Sequence, residues 1–552
     1  MSPLDEEKRR EIGQHFVFGF HGHDVSSDIE RLIREYYVGN VILMKRNVQS
    51  LQQVRDLVAK LQKIAKDAGH STPLMIGTDQ ENGLVSAFSA EMAGTQFPGA
   101  MAIAASQSTD LAEQVSLASA KELRLAGISW AYSPVCDVNS DPRNPVIGVR
   151  SFGDDPYEAA KYAAAVSRGL TSGGVAPSSK HFPGHGDTHV DSHLDLPRIY
   201  KIQEQLSATE LIPFERLIKD EIATIMTGHM ALPLIVGDDT PSSLSRMITT
   251  DLLRSKLGYK GVVVTDCLEM EAVAIKYGSE GGAVLSLQAG ADIAMICHRI
   301  DRQVGALEAT YRAINEGKLL MDDIVRSGDR IKQLKQKFTG SWEETFDRLG
   351  HLDLAVLSQM KEANAQLSRT AYAASTALMT QEKGTLPLAK DGLVLVFTPQ
   401  VERINLAVDD ADGVLRDKNG RLRNTAGPSY LAFARSVSDR VRADHIVYGP
   451  STELPEGLKA ASGIIFATRN AHTSVWQLEY LRRVRTAYSS LPMVLVTTCA
   501  PYDFMDARDL RSLPVLATFE FTVPALQAAT EVIFGERLPT GRAPVSTHFL
   551  AN

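Results

Sequence analysis

In the first roughly 340 residues, short apolar runs alternate with stretches whose apolar residues follow helical spacing. The apolar runs are Val38–Met44, Leu74–Gly77, Ile128–Tyr132, Val175–Ala176, Thr224–Met226, Val262–Thr265 and Ile293–Ile296. The helical stretches between them include Leu51–Ala68, Leu111–Leu125 and Tyr157–Leu170. Repeated strand-then-helix units predict a parallel sheet with helical crossovers. Seven or eight such units favour a closed (β/α)8 barrel of the TIM type over an open sheet.

The alternation stops near residue 338, where the segment FTGSWEETFDRLGHLD (338–353) is predicted to be a linker. A helix beginning near Leu354 then leads to four further apolar runs, at Leu393–Phe397, Gly463–Ala467, Met493–Thr497 and Val515–Ala517. Their continuous apolar character predicts strands covered on both faces. We therefore predict a barrel domain at 1–340, a linker at 341–355 and a smaller α/β sandwich domain at 356–552.

Composition and charge limit the classes of molecule that the chain is expected to bind. The 552 residues are 44% hydrophobic and 22% charged, with a formal net charge of -8. An acidic chain argues against nucleic acid or an anionic membrane as the main partner. No run reaches the roughly 18 apolar residues of a membrane helix. The N-terminus MSPLDEEKRREIGQHF is charged where a signal peptide would be apolar, which predicts a cytoplasmic protein.

The chain contains four cysteines, Cys136, Cys267, Cys297 and Cys499, without CxxC pairing or metal-ligand spacing. Each lies in or beside an apolar run, which predicts reduced, buried thiols. Cys267 directly follows Asp266. We expect Cys267 to be a packing residue, with a reactive thiol as the alternative.

Polar side chains follow five of the apolar runs: Asp79, Asp137, Lys180 with His181, His229 and Asp266. In a barrel these positions line the mouth formed by the carboxyl ends of the strands, where barrel enzymes keep their active sites. Polar residues also begin ordinary loops, but five coincidences favour an active site.

The segment 180–197, KHFPGHGDTHVDSHLDLP, contains a histidine at every fourth position, His181, His185, His189 and His193. On a helix the four imidazoles would share one face and suggest a metal site. Pro183, Gly184 and Gly186 oppose a continuous helix, so we expect no metal here. A loop with two glycines can instead close over a ligand.

Within that loop, Asp191 and His193 are two residues apart. A carboxylate beside an imidazole fixes the ring tautomer and favours the imidazolium, which suits proton transfer near neutral pH. The alternative is a loop histidine that caps a carbonyl group, and the triplet alone does not decide between the two.

Four segments together resemble glycoside hydrolase family 3, in its β-N-acetylglucosaminidase branch. They are DQENG (79–83), NPVIGVRSFG (144–153), KHFPGHGDTHVDSH (180–193) and GVVVTDCLEM (261–270). ATRNAH (467–472) and GERLPTGRAPVS (535–546) are similar to the two-domain members. The resemblance therefore covers nearly the whole chain, with its functional content in the first domain.

The resemblance implies a retaining exo-β-N-acetylglucosaminidase in which Asp266 is the nucleophile. His193 would act as acid and base, and Asp191 would orient it. A carboxylate at a strand end suits covalent catalysis, although such a group also caps helices.

The resemblance also implies a set of sugar-binding residues. Asp79 would accept hydrogen bonds from sugar hydroxyls, and Arg150, Lys180 and His181 would donate to them. Met270 would supply apolar contact below the ring. We expect no cofactor, and the partner would be a small carbohydrate ending in N-acetylglucosamine, such as a chitooligosaccharide or a muropeptide fragment.

One segment departs from the family pattern DQEGGxVxR. Asn82 replaces a glycine, which asparagine can do at positive φ. Ala87 replaces an arginine that commonly reaches the sugar. We expect either a compensating residue from this loop or the second domain, or a changed substrate preference.

Several alternatives stay open at this stage. A β-glucosidase or β-xylosidase of the same family would generally lack the loop with Asp191 and His193. A phosphorylase would use phosphate in place of water, since a neutral histidine acid presents no new anion to it. A non-catalytic sugar-binding barrel and a metal-dependent hydrolase are the other two.

Overall fold

The computed structural model describes residues 4–546 except 91, 351, 381–385, 401–426, 456–460, 506 and 511. The first part of the chain forms a closed barrel of eight parallel strands in the order β1-β10-β9-β8-β7-β6-β3-β2. These strands are β1 Phe16–Phe18, β2 Asn40–Ile42, β3 Met75–Thr78, β6 Trp130–Ala131, β7 Ala176–Phe182, β8 Thr224–Thr227, β9 Val262–Cys267 and β10 Ile293–Ile296. The predicted TIM-type barrel is confirmed.

Strand β1 is the one barrel strand that the sequence pattern missed. It comprises three residues, Phe-Val-Phe, and all three are buried. It pairs in parallel with β10, Phe16 opposite Ala294, and with β2, Val17 opposite Asn40, and so closes the barrel. An apolar run this short carries no periodicity from which a strand can be recognised.

Helices surround the barrel and connect its strands. They are α1 Glu6–Gly13, α2 Ser27–Glu35, α3 Leu51–Asp67, α4 Ala100–Ala105, α5 Thr109–Leu125, α6 Pro156–Ser172, α7 Gln203–Ala208, α8 Leu211–Lys219, α9 Pro233–Val236, α10 Glu271–Ala289, α11 Ile300–Asn315 and α12 Met321–Phe338. A π-helical segment, Met247–Lys256, precedes β9. A membrane-spanning helix needs both length and an apolar surface, and no helix in the described part of the chain combines the two.

The barrel interior is a packed core. Trp130, Tyr132, Met226, Val264 and Met295 belong to one buried cluster inside it. The indole Nε1 of Trp130 donates to Oγ1 of Thr224 at 2.9 Å, which satisfies its polar group. Side chains thus fill the centre, and in barrels of this type ligand sites lie at the carboxyl ends of the strands.

A short hairpin, β4 Gln80–Asn82 with β5 Val85–Ser86, follows β3 at the mouth. Asn82 has φ 65°, a conformation that asparagine tolerates where the family pattern has glycine. Gly83 has φ 59°, and a Cβ there would meet Oε2 of Glu520 at 2.7 Å. The hairpin therefore fits against a residue from the second part of the chain.

The segment predicted to be a linker contains a helix, α13 Trp342–Leu349. Ser341 caps it by accepting from the backbone N–H of Glu344, while the Glu344 carboxylate accepts from the Ser341 N–H. Arg55 on α3 donates to the carbonyl oxygens of Arg348 and Gly350 at 3.2 and 3.1 Å. The segment is thus docked on the barrel.

Helix α14, Leu354–Ser375, leads to a six-stranded sheet in the order β11-β16-β15-β14-β12-β13. Its strands are β11 Ala377–Thr380, β12 Leu393–Pro399, β13 Arg442–Tyr448, β14 Ala461–Thr468, β15 Met493–Thr497 and β16 Val515–Ala517. The β11–β16 pair is antiparallel, and the other pairs are parallel. The helices among its described residues are α15 Gly427–Ser438, α16 Trp476–Ala487 and α17 Val523–Ile533.

Both faces of this sheet are covered, as the continuous apolar runs predicted. Val394 and Val396 of β12 pack into the cluster on one face. Leu395 and Phe397 of the same strand pack into the cluster on the other. Successive side chains of a strand point to opposite faces, so a strand buried on both sides is apolar at every position.

Glu520 joins the two parts of the chain. Its Oε2 accepts from the Gly99 N–H of the barrel at 2.8 Å, and its Oε1 accepts from the Tyr372 hydroxyl of α14 at 2.7 Å. Asn139 also donates to the Tyr502 hydroxyl at 2.6 Å. Buried hydrogen bonds of this kind fix the second domain beside the barrel mouth.

Candidate active site

A cavity of about 270 Å³ opens at the carboxyl ends of the barrel strands. Seven of the eight predicted site residues line it, namely Asp79, Arg150, Lys180, His181, His193, Asp266 and Met270. The eighth, Asp191, lies behind His193 and is hydrogen-bonded to it. Within the described residues, the second domain contributes no lining residue to this cavity.

Asp266 lies at the end of β9 with its side chain 21% exposed. Oδ1 accepts from the Cys267 N–H at 2.7 Å, while Oδ2 lies 4.0 Å from Nε2 of His181. Burial alone would raise the pKa of Asp266, but the imidazoles of His181 and His229 outweigh it and hold the pKa below its ordinary value. The carboxylate is therefore ionised and faces the cavity.

His181 is held by Asp137, which the sequence places at the barrel mouth without a specific role in the site. The Asp137 carboxylate accepts from Nδ1 of His181 at 2.7 Å and from the backbone N–H groups of His181 and His185 at 3.1 and 2.7 Å. An ionised carboxylate only accepts, so Nδ1 carries the proton. Nε2 is left facing Asp266 and the Arg150 guanidinium, 3.4 Å away.

Asp191 and His193 form the predicted pair. Nδ1 of His193 donates to Oδ1 of Asp191 at 2.8 Å, and the His193 backbone N–H donates to the same oxygen at 2.8 Å. Burial opposes ionisation of Asp191, but its hydrogen bond and charge interaction with His193 lower its pKa. Since Nδ1 is occupied, Nε2 of His193 is the nitrogen available in the cavity.

The loop 180–197 starts with the last three residues of β7 and is irregular from Pro183 on, as its proline and glycines predicted, and the histidines do not share one face. His185 is buried, and its Nε2 lies 3.0 Å from the Ser192 hydroxyl. Burial lowers the pKa of His185 to about 4, so the ring is neutral near pH 7. His189 points outward with its side chain 68% exposed. The His185–Ser192 bond therefore anchors the Asp191–His193 turn.

Glu81 is a site residue that sequence reasoning missed. Its carboxylate accepts from Nε and Nη2 of Arg150 at 2.9 and 2.8 Å and from Nζ of Lys180 at 2.6 Å. Burial would raise the pKa of Glu81, but these two cations outweigh it and lower the pKa to about 2. Lys180 also donates to Asp79 at 2.7 Å. The only signal in the sequence was a second carboxylate two residues after Asp79.

Ala87 lines the cavity, so the family arginine would have reached it from this position. Arg46, from the turn after β2, lines the same cavity. Its guanidinium donates to the carbonyl oxygens of Phe20 and Cys297 at 3.0 and 2.7 Å. Arg46 therefore supplies a cation to the cavity in which Ala87 replaces the family arginine.

His229 supports the site from outside the cavity. Its Nδ1 lies 2.8 Å from the Ser243 hydroxyl and its Nε2 lies 3.0 Å from the Cys267 carbonyl oxygen. It is 1% exposed and absent from the cavity lining. His229, which the sequence places at the barrel mouth, therefore supports the end of β9 and does not line the cavity.

An eight-stranded barrel with acidic, basic and imidazole side chains gathered at the carboxyl ends of its strands has the architecture of a barrel enzyme. Residues 6–334 match the model of the glycosyl hydrolase family 3 N-terminal domain. The chain belongs to glycosyl hydrolase family 3.

Solved structures of the same family resemble the whole chain. A fungal multi-domain family 3 β-N-acetylglucosaminidase is 37% identical with a TM-score of 0.88, over 98% of this chain and 60% of that one. A family 3 β-N-acetylglucosaminidase from Paenibacillus sp. str. FPU-7 is 30% identical with a TM-score of 0.85, over 99% of both chains.

Beta-hexosaminidase A from Pseudoalteromonas piscicida is 36% identical over 334 residues, which are 57% of this chain. The match spans 56% of that relative, just as the present chain spans 60% of the fungal enzyme. Both relatives are therefore considerably longer than the part that resembles this chain.

Proposed function

We propose that the chain is a retaining exo-β-N-acetylglucosaminidase. The observation that carries the proposal is one cavity bordered by the Asp266 carboxylate and by His193, whose Nδ1 is bound to Asp191 at 2.8 Å. The β-N-acetylglucosaminidase and β-hexosaminidase names of its relatives support the same activity.

In the first step, Oδ2 of Asp266 attacks the anomeric carbon as the bond from that carbon to the leaving oxygen breaks. His193 gives its Nε2 proton to the leaving oxygen and becomes neutral. Asp191 holds Nδ1 throughout and stabilises the protonated ring before the transfer, as the aspartate does in a serine-protease triad. The products are the free alcohol and a glycosyl ester of Asp266.

In the second step, a water molecule approaches the same anomeric carbon. Neutral His193 accepts a proton from the water at Nε2 while the ester bond to Asp266 breaks. Two inversions at one carbon give overall retention of configuration. The enzyme returns to an ionised Asp266 and a protonated His193.

The buried ion network provides sugar recognition. Lys180 and Asp79 are fixed by each other, and Arg150 is fixed by Glu81, so their remaining donors and acceptors point in set directions. Buried groups shaped for one hydroxyl pattern reject another sugar because the mismatch leaves them unpaired. Met270 supplies the apolar surface beside the ring.

The test compares 4-nitrophenyl β-glycosides of N-acetylglucosamine, glucose and xylose, each with and without inorganic phosphate and with EDTA. We expect N-acetylglucosamine to be released fastest, at a rate that neither phosphate nor EDTA changes. The configuration of the first product, followed by NMR, should be β.

Each other outcome points to a specific alternative. Preference for glucose would contradict the acetamido specificity. Faster turnover with phosphate, giving a sugar 1-phosphate, would make the chain a phosphorylase. Loss of activity in EDTA would indicate a metal-dependent hydrolase, and an α-configured first product would refute the retaining mechanism.

A further inference from the structure

Three side chains outside the proposed proton-transfer pair form a separate cluster at the mouth. One ligand atom from each of Cys267, Glu269 and His298 lies within 4.8 Å of the other two. The distance from Sγ of Cys267 to Oε2 of Glu269 is 3.8 Å. These residues come at or just after the ends of the adjacent strands β9 and β10, so the barrel itself brings them together.

The cluster can be reached from the cavity. Cys267 and His298 both line it, as does Asp266, the neighbour of Cys267 in the chain. Cys267 also packs in the barrel core, the role that its apolar neighbours in the sequence predict. Its position on the cavity gives the thiol access to small solutes.

Backbone contacts hold the cluster in place. The Glu269 carboxylate accepts from the N–H groups of Cys297 and His298 at 2.9 and 2.6 Å, and from that of Arg299 at 3.2 Å. A carboxylate offers about four lone-pair positions, and the Cys267 thiol donates to the fourth. Loss of that thiol proton on metal binding would free this position for the ion. Glu269 thereby connects the segment after β10, which carries His298, to the end of β9, which carries Cys267.

Two cations oppose a positive ion at this position. Arg302 lies 3.9 Å from Glu269, and Arg46 donates to the Cys297 carbonyl oxygen. A bound metal ion keeps its cysteine ligand as thiolate, and together with the Glu269 carboxylate this supplies two negative charges. The thiolate and the carboxylate thus neutralise the charge of the ion itself, and the two arginines weaken its binding without preventing it.

We propose that Cys267, Glu269 and His298 form a binding site for Zn²⁺ or a similar thiophilic divalent ion, and that its occupancy blocks the sugar cavity. Thiolate, imidazole and carboxylate are the ligand types that zinc takes in a tetrahedral site. Three protein ligands leave the fourth position open toward the cavity. The site is distinct from the row of histidines in the loop 180–197.

Binding is measured on the full chain after EDTA treatment and removal of the chelator. We expect calorimetric titration with ZnCl₂ to give one ion per chain, and CoCl₂ to produce a thiolate-to-cobalt charge-transfer band that zinc abolishes. Turnover of the N-acetylglucosamine aryl glycoside should fall as zinc binds and return with EDTA. Because binding is read without substrate, its failure is distinguishable from failure of the proposed glycosidase function.

Variants identify the ligands. Cys267→Ser should abolish the cobalt band, and His298→Gln should weaken zinc binding by at least about tenfold, the lower limit for disturbing even an outer partner of a ligand. Cys499→Ser, a cysteine away from the sugar cavity, and His193→Ala should both bind zinc as the parent does.

Three outcomes would overturn the proposal. They are no zinc binding below 1 mM, binding that persists in Cys267→Ser, and binding lost in His193→Ala, which would place the ion on the Asp191–His193 pair. Retained near-ultraviolet circular dichroism in each variant shows that a loss of binding does not reflect a loss of fold.

Discussion

Single side chains at the mouth acquire their chemistry from their neighbours. Asp266 is a carboxylate at a strand end. Burial would raise its pKa, but the imidazoles of His181 and His229 lower the pKa by more. His193 has one nitrogen occupied by Asp191 and the other available in the cavity. Both effects are local, and both can be tested by removing one side chain.

Replacing Asp266 with alanine should lower kcat for the N-acetylglucosamine aryl glycoside by at least about 10⁴-fold, because a catalytic nucleophile acts as part of one unit. Azide should restore turnover and yield the α-glycosyl azide, since it attacks the face that the carboxylate vacated. Asp195→Ala, an exposed carboxylate in the loop 180–197, is the matched control and should retain full activity. A β-configured azide product would contradict the assignment.

Replacing His193 with alanine should affect substrates according to their leaving group. A general acid contributes about 10²–10⁴-fold. We expect a loss of that size for chitobiose and a much smaller one for the 4-nitrophenyl glycoside, whose leaving group needs no proton. Steady-state kinetics on both substrates measure the difference, and equal losses would exclude the general-acid role.

At the scale of elements, the loop 180–197 decides whether the Asp191–His193 turn is held in place. Its proline and glycines predicted an irregular loop. His185 turns inward to Ser192, whereas His189 faces solvent. This difference depends on contacts with other elements, such as the hydrogen bond from the His185 backbone to the Asp137 carboxylate. Equal spacing in the sequence thus gave no information about these different roles.

Ser192→Ala removes the partner of His185 and should loosen the turn without touching the reacting atoms. We expect roughly a tenfold loss of kcat on chitobiose, little change in KM, and a smaller loss on the nitrophenyl glycoside. His189→Ala is the control in the same loop and should leave both rates unchanged. Equal losses on the two substrates would indicate general destabilisation rather than mispositioning of His193.

At the scale of the molecule, a buried amine lies at the end of the barrel opposite the cavity, before the starts of β1 and β2. Lys335 on α12 is 1% exposed, and its Nζ donates to the Gln14 side chain at 2.7 Å and to the Gly39 carbonyl oxygen at 2.8 Å. Burial lowers the pKa of Lys335 to about 7. Folding is thereby linked to the protonation of a residue far from the cavity.

The sign of this linkage follows from the depressed pKa. An unfolded lysine titrates near about 10.4, so between pH 7 and 10 the unfolded chain binds more protons than the folded one. Lys335 should therefore make the free energy of unfolding rise with pH in this window, by up to about 1.4 kcal/mol per pH unit.

Urea denaturation of the parent and of Lys335→Met at several pH values between 7 and 10 measures this slope. The variant should lack the lysine contribution, whatever its absolute stability. Lys332 lies on the same helix but is exposed, so Lys332→Met should keep the slope of the parent protein. Identical slopes in the parent and Lys335→Met would refute the linkage.

The sequence by itself determined the barrel architecture and seven residues of the cavity lining. Alternating apolar runs and helical spacing predicted the barrel, because each strand and helix buries a face whose period is visible locally. Parallel strands bring their carboxyl ends to one edge, so the residues after each run could be assigned to one mouth. The resemblance to the family added the proposed roles of Asp266, Asp191 and His193.

Only the tertiary structure decided which side chains meet. Glu81 joins Arg150 and Lys180, and Asp137 holds His181, through contacts between residues distant in the sequence. Strand β1, the docking of α13 on the barrel and the Cys267–His298 cluster also depend on elements that approach only in the fold. Long-range pairing of this kind has no local periodicity, and so it leaves no pattern along the chain from which it can be read.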